Sequence, residues 1–387
     1  MERDLKPLRE KMVSAMAYDG WQFVQNAIIS IDTAHFCVDT IGKIIKQHED
    51  TYNSWFDGIG QEMAEKKEKG EEMKVAITSE RLPRYVTVVA GMEVNSSFLL
   101  QKLTNDFFQY TRNTFDYIAQ IANVSLLRER RKNIESVDFP RMKGVFEQQT
   151  YSQEFPTIHS WFDQISNSQE YVFLDDFCNR TKHISDIYIR LSIPFFGGES
   201  EATVNPFYKK ATDHPSQNIK TYLESIWNYV FQALCSFLTL LETEIEKTTS
   251  NNRFHQLLGY QQVIKDSPEN SFAFAYVVAP NNDANAMPEE IGILLLQQDH
   301  EDGRVDACNC NLDNIYICNP TDKLDVIGVY TAEEQWHPDQ VLLYRKYRKS
   351  IPAQDDLPLI FQIMQNPQHR NMRFYPNPYM TFMSIEA

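Results

Sequence analysis

Among the 387 residues there is no Gly-rich phosphate loop, no GxSxG turn and no HExxH pair, so the motifs that announce the commonest nucleotide and hydrolase chemistries are missing. No apolar stretch reaches the roughly 20 residues that a membrane span needs. The longest, Ile226 to Leu241, is crossed by Asn228, Gln232, Ser236 and Thr239 at spacings of four, four and three, a polar line down one side of a core helix. The opening MERDLKPLREK has no apolar segment of the secretory type, which leads to the expectation of a cytoplasmic protein without membrane attachment. Six cysteines spread over the chain do not form a disulfide framework, and reduced thiols are the simple reading. Basic residues are outnumbered 37 to 53, for a net charge of −16. That balance argues against broad, non-specific binding to DNA, while leaving room for a local basic pocket.

What the chain does have is long amphipathic pattern. Residues 13 to 50 read as a helix with Val24, Ile28, Ile31, Val38 and Ile45 in its stripe and His35 among them, expected as a buried, hydrogen-bonded histidine. A charged, exposed segment follows over 61–80. Arg84 to Ala90 fits a short strand or the first turns of a helix. Leu99 to Leu127 is the longest amphipathic run: Leu100, Leu103, Phe107, Phe115, Ile118, Ile121 and Ala122 on one side, and Gln109, Arg112, Asp116, Gln120 and Asn123 on the other. A basic patch (Arg128 to Lys132) and the breaker Asp138-Phe139-Pro140 come next. Tyr171 to Leu191 reads as a helix with Phe173, Phe177, Ile184, Tyr188 and Leu191 on its core face. Arg180 projects into that face, where a charged head must find a partner. The stretch 194–217 reads as a long loop, and Ile219 to Lys247 resumes a helix.

Beyond Asn270 the pattern changes to short apolar or alternating runs separated by turn clusters such as PNNDANAMPEE and HEDGR, the pattern of an antiparallel sheet. The tail from Ser350 carries five prolines and is expected to wrap the surface. The expectation is therefore an α+β protein: a long-helix bundle over 1–255, then a smaller antiparallel β-rich domain over 256–387.

Three elements in order carry a resemblance. NDFFQYTRNTFDYIAQIAN (Asn105 to Asn123) resembles a pattern of Gly-Asp, Arg and Leu-Asp found in uncharacterised bacterial helical proteins of the HEPN-like type (higher eukaryote and prokaryote nucleotide-binding). Phe139-Pro140 follows at the expected place, and FLDDFCNRTKH (Phe173 to His183) resembles their later Asn-x-x-Lys-His helix. Asn105 stands where Gly is usual, and Gln109-Tyr110 replaces a common His-Asn. The resemblance covers about residues 85–191. It implies a helical bundle that dimerises through its long helices, a bacterial conflict, stress or phage-defence setting, and a polar cluster that binds a nucleotide, RNA or a protein partner. Asp106, Arg112, Asp116, Asn179, Lys182 and His183 occupy the pattern's polar positions, with Arg180 and Asp186 beside them.

Two chemical readings of that cluster compete. If the polar faces of the two helices meet, His183 could move a proton while Arg112 and Lys182 steady a developing phosphorane charge, giving a metal-independent endoribonuclease. However, Arg180 and His183 have only two residues between them, against the four to six of ribonuclease members of the group. Alternatively the same residues form a structural network: Asp116 holding Arg112, Lys182 pairing with Asp186 one turn on, Asn179 satisfying backbone groups. A purely structural protein-interaction module is the third possibility. Cys308, Cys310, Cys318 and His300 are four possible zinc ligands, but their spacing is not that of a zinc knuckle and strand alternation puts Cys308 and Cys310 on one buried face; no metal and no cofactor is expected. Asp175-Asp176 are adjacent on a helix, where side chains diverge, and make a poor acid–base pair.

Overall fold

A computed structural model describes residues 5–15, 17–72, 74–127, 130–192, 200–209 and 211–248, and beyond them the segments 254–263, 272–277, 289–298, 305–308, 314–318, 326–336, 345–351 and 380–385. The architecture is α+β, with the long helices in the N-terminal part and antiparallel sheet after them. The chain divides into two compact units, one of Gln25–Ala119 and Asp138–Thr239, the other of Met1–Val24, Gln120–Val137 and Leu240–Ala387.

Helix α1 is Lys6–Ser14 and α2 is Tyr18–Glu68. The run of charges after Gln61 therefore begins as a solvated helix end, and the chain turns at Gly70 with φ +70°. Arg84 to Ala90 resolves as strand: β1 (Val86–Val89) pairs with β2 (Met92–Asn95) across Ala90-Gly91, both at positive φ, the turn that suits hairpin twist. Asn95 then caps α3 (Ser96–Ala122), its Oδ1 accepting from the N–H groups of Ser97 and Phe98 at 2.9 and 3.2 Å. Residues 141–170 contain three short helices, α4 (Phe139–Phe146), α5 (Gln149–Glu154) and α6 (Pro156–Ser166). Asp138 caps α4 through the Arg141 N–H, with Pro140 in the first turn where its missing N–H costs nothing.

Helix α7 is Gln169–His183, shorter than the periodicity predicts. The N–H groups of Ile184 and Ser185 both fold back onto the Arg180 carbonyl, and β3 (Ile189–Ser192) follows. Ile187, Tyr188 and Ile189 alternate buried, exposed and half-buried, a strand period that a helical wheel had absorbed. Of the expected long loop, 194–199 and 210 lie outside the described residues, and the rest carries strands: β4 (Glu201–Val204), β5 (Phe207–Lys209), β6 (Thr212–His214) and β7 (Gln217–Asn218) give a sheet ordered β3-β4-β7 and a β5–β6 hairpin. Helix α8 is Ile219–Glu244.

In the first unit, α2 and α3 run antiparallel, with Ser30 Oγ donating to the Tyr110 carbonyl at 2.9 Å. The Trp227 indole of α8 donates to the Ile31 carbonyl at 3.2 Å, and His35, exposed rather than buried, lies against that indole. The core between α3, α4, α6, α7 and α8 is aromatic, with Phe115, Phe139, Phe146, Phe162 and Phe237 fully enclosed. In the second unit, Arg131 of the basic patch is held by buried Asp19 at 3.3 Å, and Asn123 grips both the N–H and the carbonyl of Lys132. A π-helical turn, Asn123–Leu127, sits fully buried where α3 ends.

The strands β8 (Phe254–Val263), β9 (Phe272–Val277), β10 (Glu290–Gln298), β11 (Val305–Cys308), β12 (Asn314–Cys318), β13 (Val326–Trp336), β14 (Arg345–Lys349) and β15 (Met380–Ile385) belong to the same unit. Their order is β11-β10-β14-β13-β12-β9-β8-β15, and β15 also pairs with β10. The sheet thus closes on itself, which removes the edges an open sheet would expose. Two expectations change. The end of the tail is a strand of the sheet, and one pairing, β9 with β12, is parallel.

Candidate functional site

Arg112 and Asp116 are one turn apart on α3, and α7 lies antiparallel beside them, Phe108 against Phe177 and Phe115 against Tyr171. Arg112 is drawn inward. Its Nη1 donates to Asp116 at 2.6 Å, its Nε donates to Asp175 of α7 at 3.0 Å, and its guanidinium carbon sits 5.7 Å from the centre of the Tyr171 ring. Asp116 uses the same oxygen to accept the Phe139 N–H at 2.9 Å, tying the start of α4 to α3. Burial alone would lower the Arg112 pKa. The Tyr171 oxygen and the two carboxylates outweigh it, so the pKa is raised and the cation is locked in. Burial also raises the Tyr171 phenol. The Arg, the Asp and the Phe-Pro of the sequence pattern are thus neighbours in one network of a cation and two carboxylates.

The other positions singled out in the sequence lie elsewhere. Asp106 pairs with Lys102 at 2.5 Å on the outer side of α3. Arg180 Nη1 donates to the Tyr208 carbonyl of β5 at 2.6 Å, the partner its placement in an apolar face demanded. Asn179 is half-buried and makes no side-chain hydrogen bond to a described residue. Lys182 and His183 are exposed in the last turn of α7, where cations suit the helix dipole. Lys182 does not pair with Asp186, because the helix ends before Asp186 could come one turn above it. Asp175, the contact of Arg112, is eight residues from His183, about 12 Å along the helix axis. Arg112 and His183 are therefore not brought together within the chain. Cys310 and His300 lie outside the described residues, as do the side chains of Cys308 and Cys318.

Two concavities stand apart from the network. The larger is a groove of about 870 Å³ between α2 and the start of α8. Buried Ile41, Ile45, Ile219 and Leu223 form its floor, and Lys43, Lys46 and Lys220 face Asp39, Asp50 and Glu224 along its rim. Gly42 lies in the middle of α2 within this groove, and a Cβ there would meet nothing within 4 Å. The smaller, about 440 Å³, lies among α7, the β5–β6 hairpin and α8. Beside it His214 Nε2 meets Asp176 Oδ2 at 2.9 Å, with both residues under a tenth exposed. Asp175 and Asp176 do diverge, one to Arg112 and one to His214. The sequence reading set Asp175 and Asp176 aside as a poor acid–base pair without giving either a partner, and it passed over His214. A helical wheel does place Asp175 one turn from Tyr171, but the pairing of Asp176 with His214 spans 38 residues and leaves no local trace.

A family model described as a domain of unknown function (DUF8310) matches residues 255–386, the β-rich part of the chain. No curated protein matches. No solved structure matches. Among the described residues no helix is long and apolar enough to cross a membrane.

Proposed function

We propose that this is a partner-binding protein whose helical unit receives an amphipathic helix of another protein in the groove between α2 and α8. The observation that carries the reading is the groove itself. An apolar floor lies beside a helix-interior glycine, Gly42, which leaves open space above it and costs about 0.5–1 kcal/mol of helix stability relative to alanine. Val38 to Ser54 of α2 line it, a run of about 24 Å, the length of four helical turns. Apolar residues at i, i+3 or i+4 and i+7 of a guest helix would seat on the floor, and flanking charges of both signs would match a rim carrying three lysines and three carboxylates. The acids on that rim and the net charge of −16 disfavour RNA there. The HEPN-like resemblance adds a bacterial, cytoplasmic conflict or stress setting and a dimer built on the long helices. Arg112 supports a structural role rather than ligand binding or catalysis, its donors being directed at Asp116 and Asp175. The ribonuclease reading gains no comparable support, since Lys182 and His183 stand apart from Arg112.

The test is selection of displayed helical peptides against the full chain. Binders with an apolar seam should emerge, and Gly42→Leu, which fills the groove, should weaken them at least about tenfold. Binders indifferent to Gly42→Leu would overturn the groove as the site. Retention or cleavage of total RNA at physiological salt, lost in a Lys182→Ala/His183→Ala double variant, would instead restore the nucleic-acid reading.

A further inference from the structure

The smaller cavity and its buried His–Asp pair carry a reading independent of the groove. Phe173 is the hub. It meets the His214 ring edge-on at 5.2 Å and the Tyr222 ring edge-on at 4.8 Å, while Phe207 stacks on His214 at 4.5 Å. One face of the imidazole is thus stacked on Phe207, with Phe173 at right angles to the ring. Nε2 is taken by Asp176 at 2.9 Å, which leaves Nδ1 as the ring's other polar edge. His214 is 7% exposed, and its Nδ1 has no hydrogen-bond partner among the described residues. His214 is one of the residues that line the cavity. A buried imidazole held by Asp176 and stacked on Phe207 is a fixed polar element of the cavity wall.

The rest of the lining agrees in sign. Glu170 and Asp213 supply carboxylates, Tyr222 and Phe173 supply ring surface, and Asn167 and Ser225 add neutral polar groups. Glu170 is close enough to Tyr222 to raise the phenol pKa beyond what burial does. No Lys or Arg is among the described residues lining the cavity. Such a wall has no counter-charge for a phosphate or a carboxylate, and it offers an ammonium or guanidinium both acceptors and π-faces. The volume, about 440 Å³, is that of a small-molecule pocket.

We propose that this cavity binds a small organic cation, an amine or guanidinium attached to a flat or aliphatic body, with His214 Nδ1 and the Glu170 and Asp213 carboxylates accepting its N–H groups. Three probes of one shape test the assignment: benzylamine, benzyl alcohol and benzoate, each titrated into the full chain with ¹⁵N-labelled histidine. Benzylamine should move the His214 ring nitrogens saturably, with benzyl alcohol at least about tenfold weaker and benzoate silent. Glu170→Gln, at the cavity rim, should weaken benzylamine by about fivefold or more in the folded protein. His214→Phe, which keeps the ring stack, should abolish its binding while far-ultraviolet circular dichroism is unchanged. Benzoate binding as well as the amine, or no saturable response of His214 to the amine below about 10 mM, would overturn the proposal. Failure here would not touch the groove, which shares no residue with this cavity.

Discussion

At the residue scale the informative side chain is Arg112. Only 12% of it is exposed, and it joins two carboxylates and a tyrosine ring. On an exposed helix an Arg–Asp pair at this spacing adds a few tenths of a kcal/mol, which is what the sequence alone suggests. Burial and the second carboxylate change the scale. Arg112→Met leaves Asp116 and Asp175 facing one another without their cation, and the expected loss is about 3 kcal/mol, read as a lower urea midpoint. Arg112→Lys keeps the charge but cannot reach both acids in the same geometry, so an intermediate loss is expected. A result near zero for Arg112→Met would show that the network is not structural and would reopen a ligand role for it.

At the element scale, two glycines of α2 predict opposite outcomes. A Cβ on Gly20 would come within 2.2 Å of Ser125 Oγ and 2.6 Å of Met12 Cε, so the start of α2 can pass the π-helical turn only without a side chain. Gly20→Ala should destabilise by about 1–3 kcal/mol through overpacking. Gly42 has open space, so Gly42→Ala should stabilise by about 0.5–1 kcal/mol, the helix-propensity gain alone. Thermal unfolding of the two variants beside the parent checks both signs at once. The ends of α7 are an element-scale matter too. Ser168 caps its start, the Tyr171 N–H donating to Ser168 Oγ at 3.2 Å, and Arg180, Lys182 and His183 fill its last turn. The Lys-His of the sequence pattern therefore has a helix-terminal account that involves no catalysis.

At the scale of the whole molecule, stability on the alkaline side should reflect its enclosed acids. Burial raises the Cys37 thiol to about 11 and the Cys178 thiol to about 12, from an ordinary value of 9.0. Above pH 9 the unfolded chain releases these protons while the folded chain keeps them, so folding is progressively disfavoured. Stability from these groups is complete below pH 9 and lost as pH rises through 11 and 12, by up to about 1.4 kcal/mol per pH unit for each thiol. Denaturant midpoints measured from pH 8 to 11 should be level and then fall, and Cys178→Ala should make the fall shallower. The closed sheet of β8 to β15 is the other property at this scale, and nothing in any single strand announces it.

The sequence by itself determined the parts that depend on neighbours along the chain. Leu99 to Leu127 and Ile219 to Lys247 read as helices because their apolar residues recur with helical period over many turns, and the α+β order follows from where that period gives way to alternation. Arg112 with Asp116 was legible for the same reason. Only the tertiary structure decided what those residues do. It carries Asp175 to Arg112, seats His214 on Asp176, ends α7 at His183 and turns 201–218 into strands. Each of these outcomes is fixed by groups tens of residues away, where burial turns a weak surface charge pair into an obligatory one and a helical wheel has no information to offer.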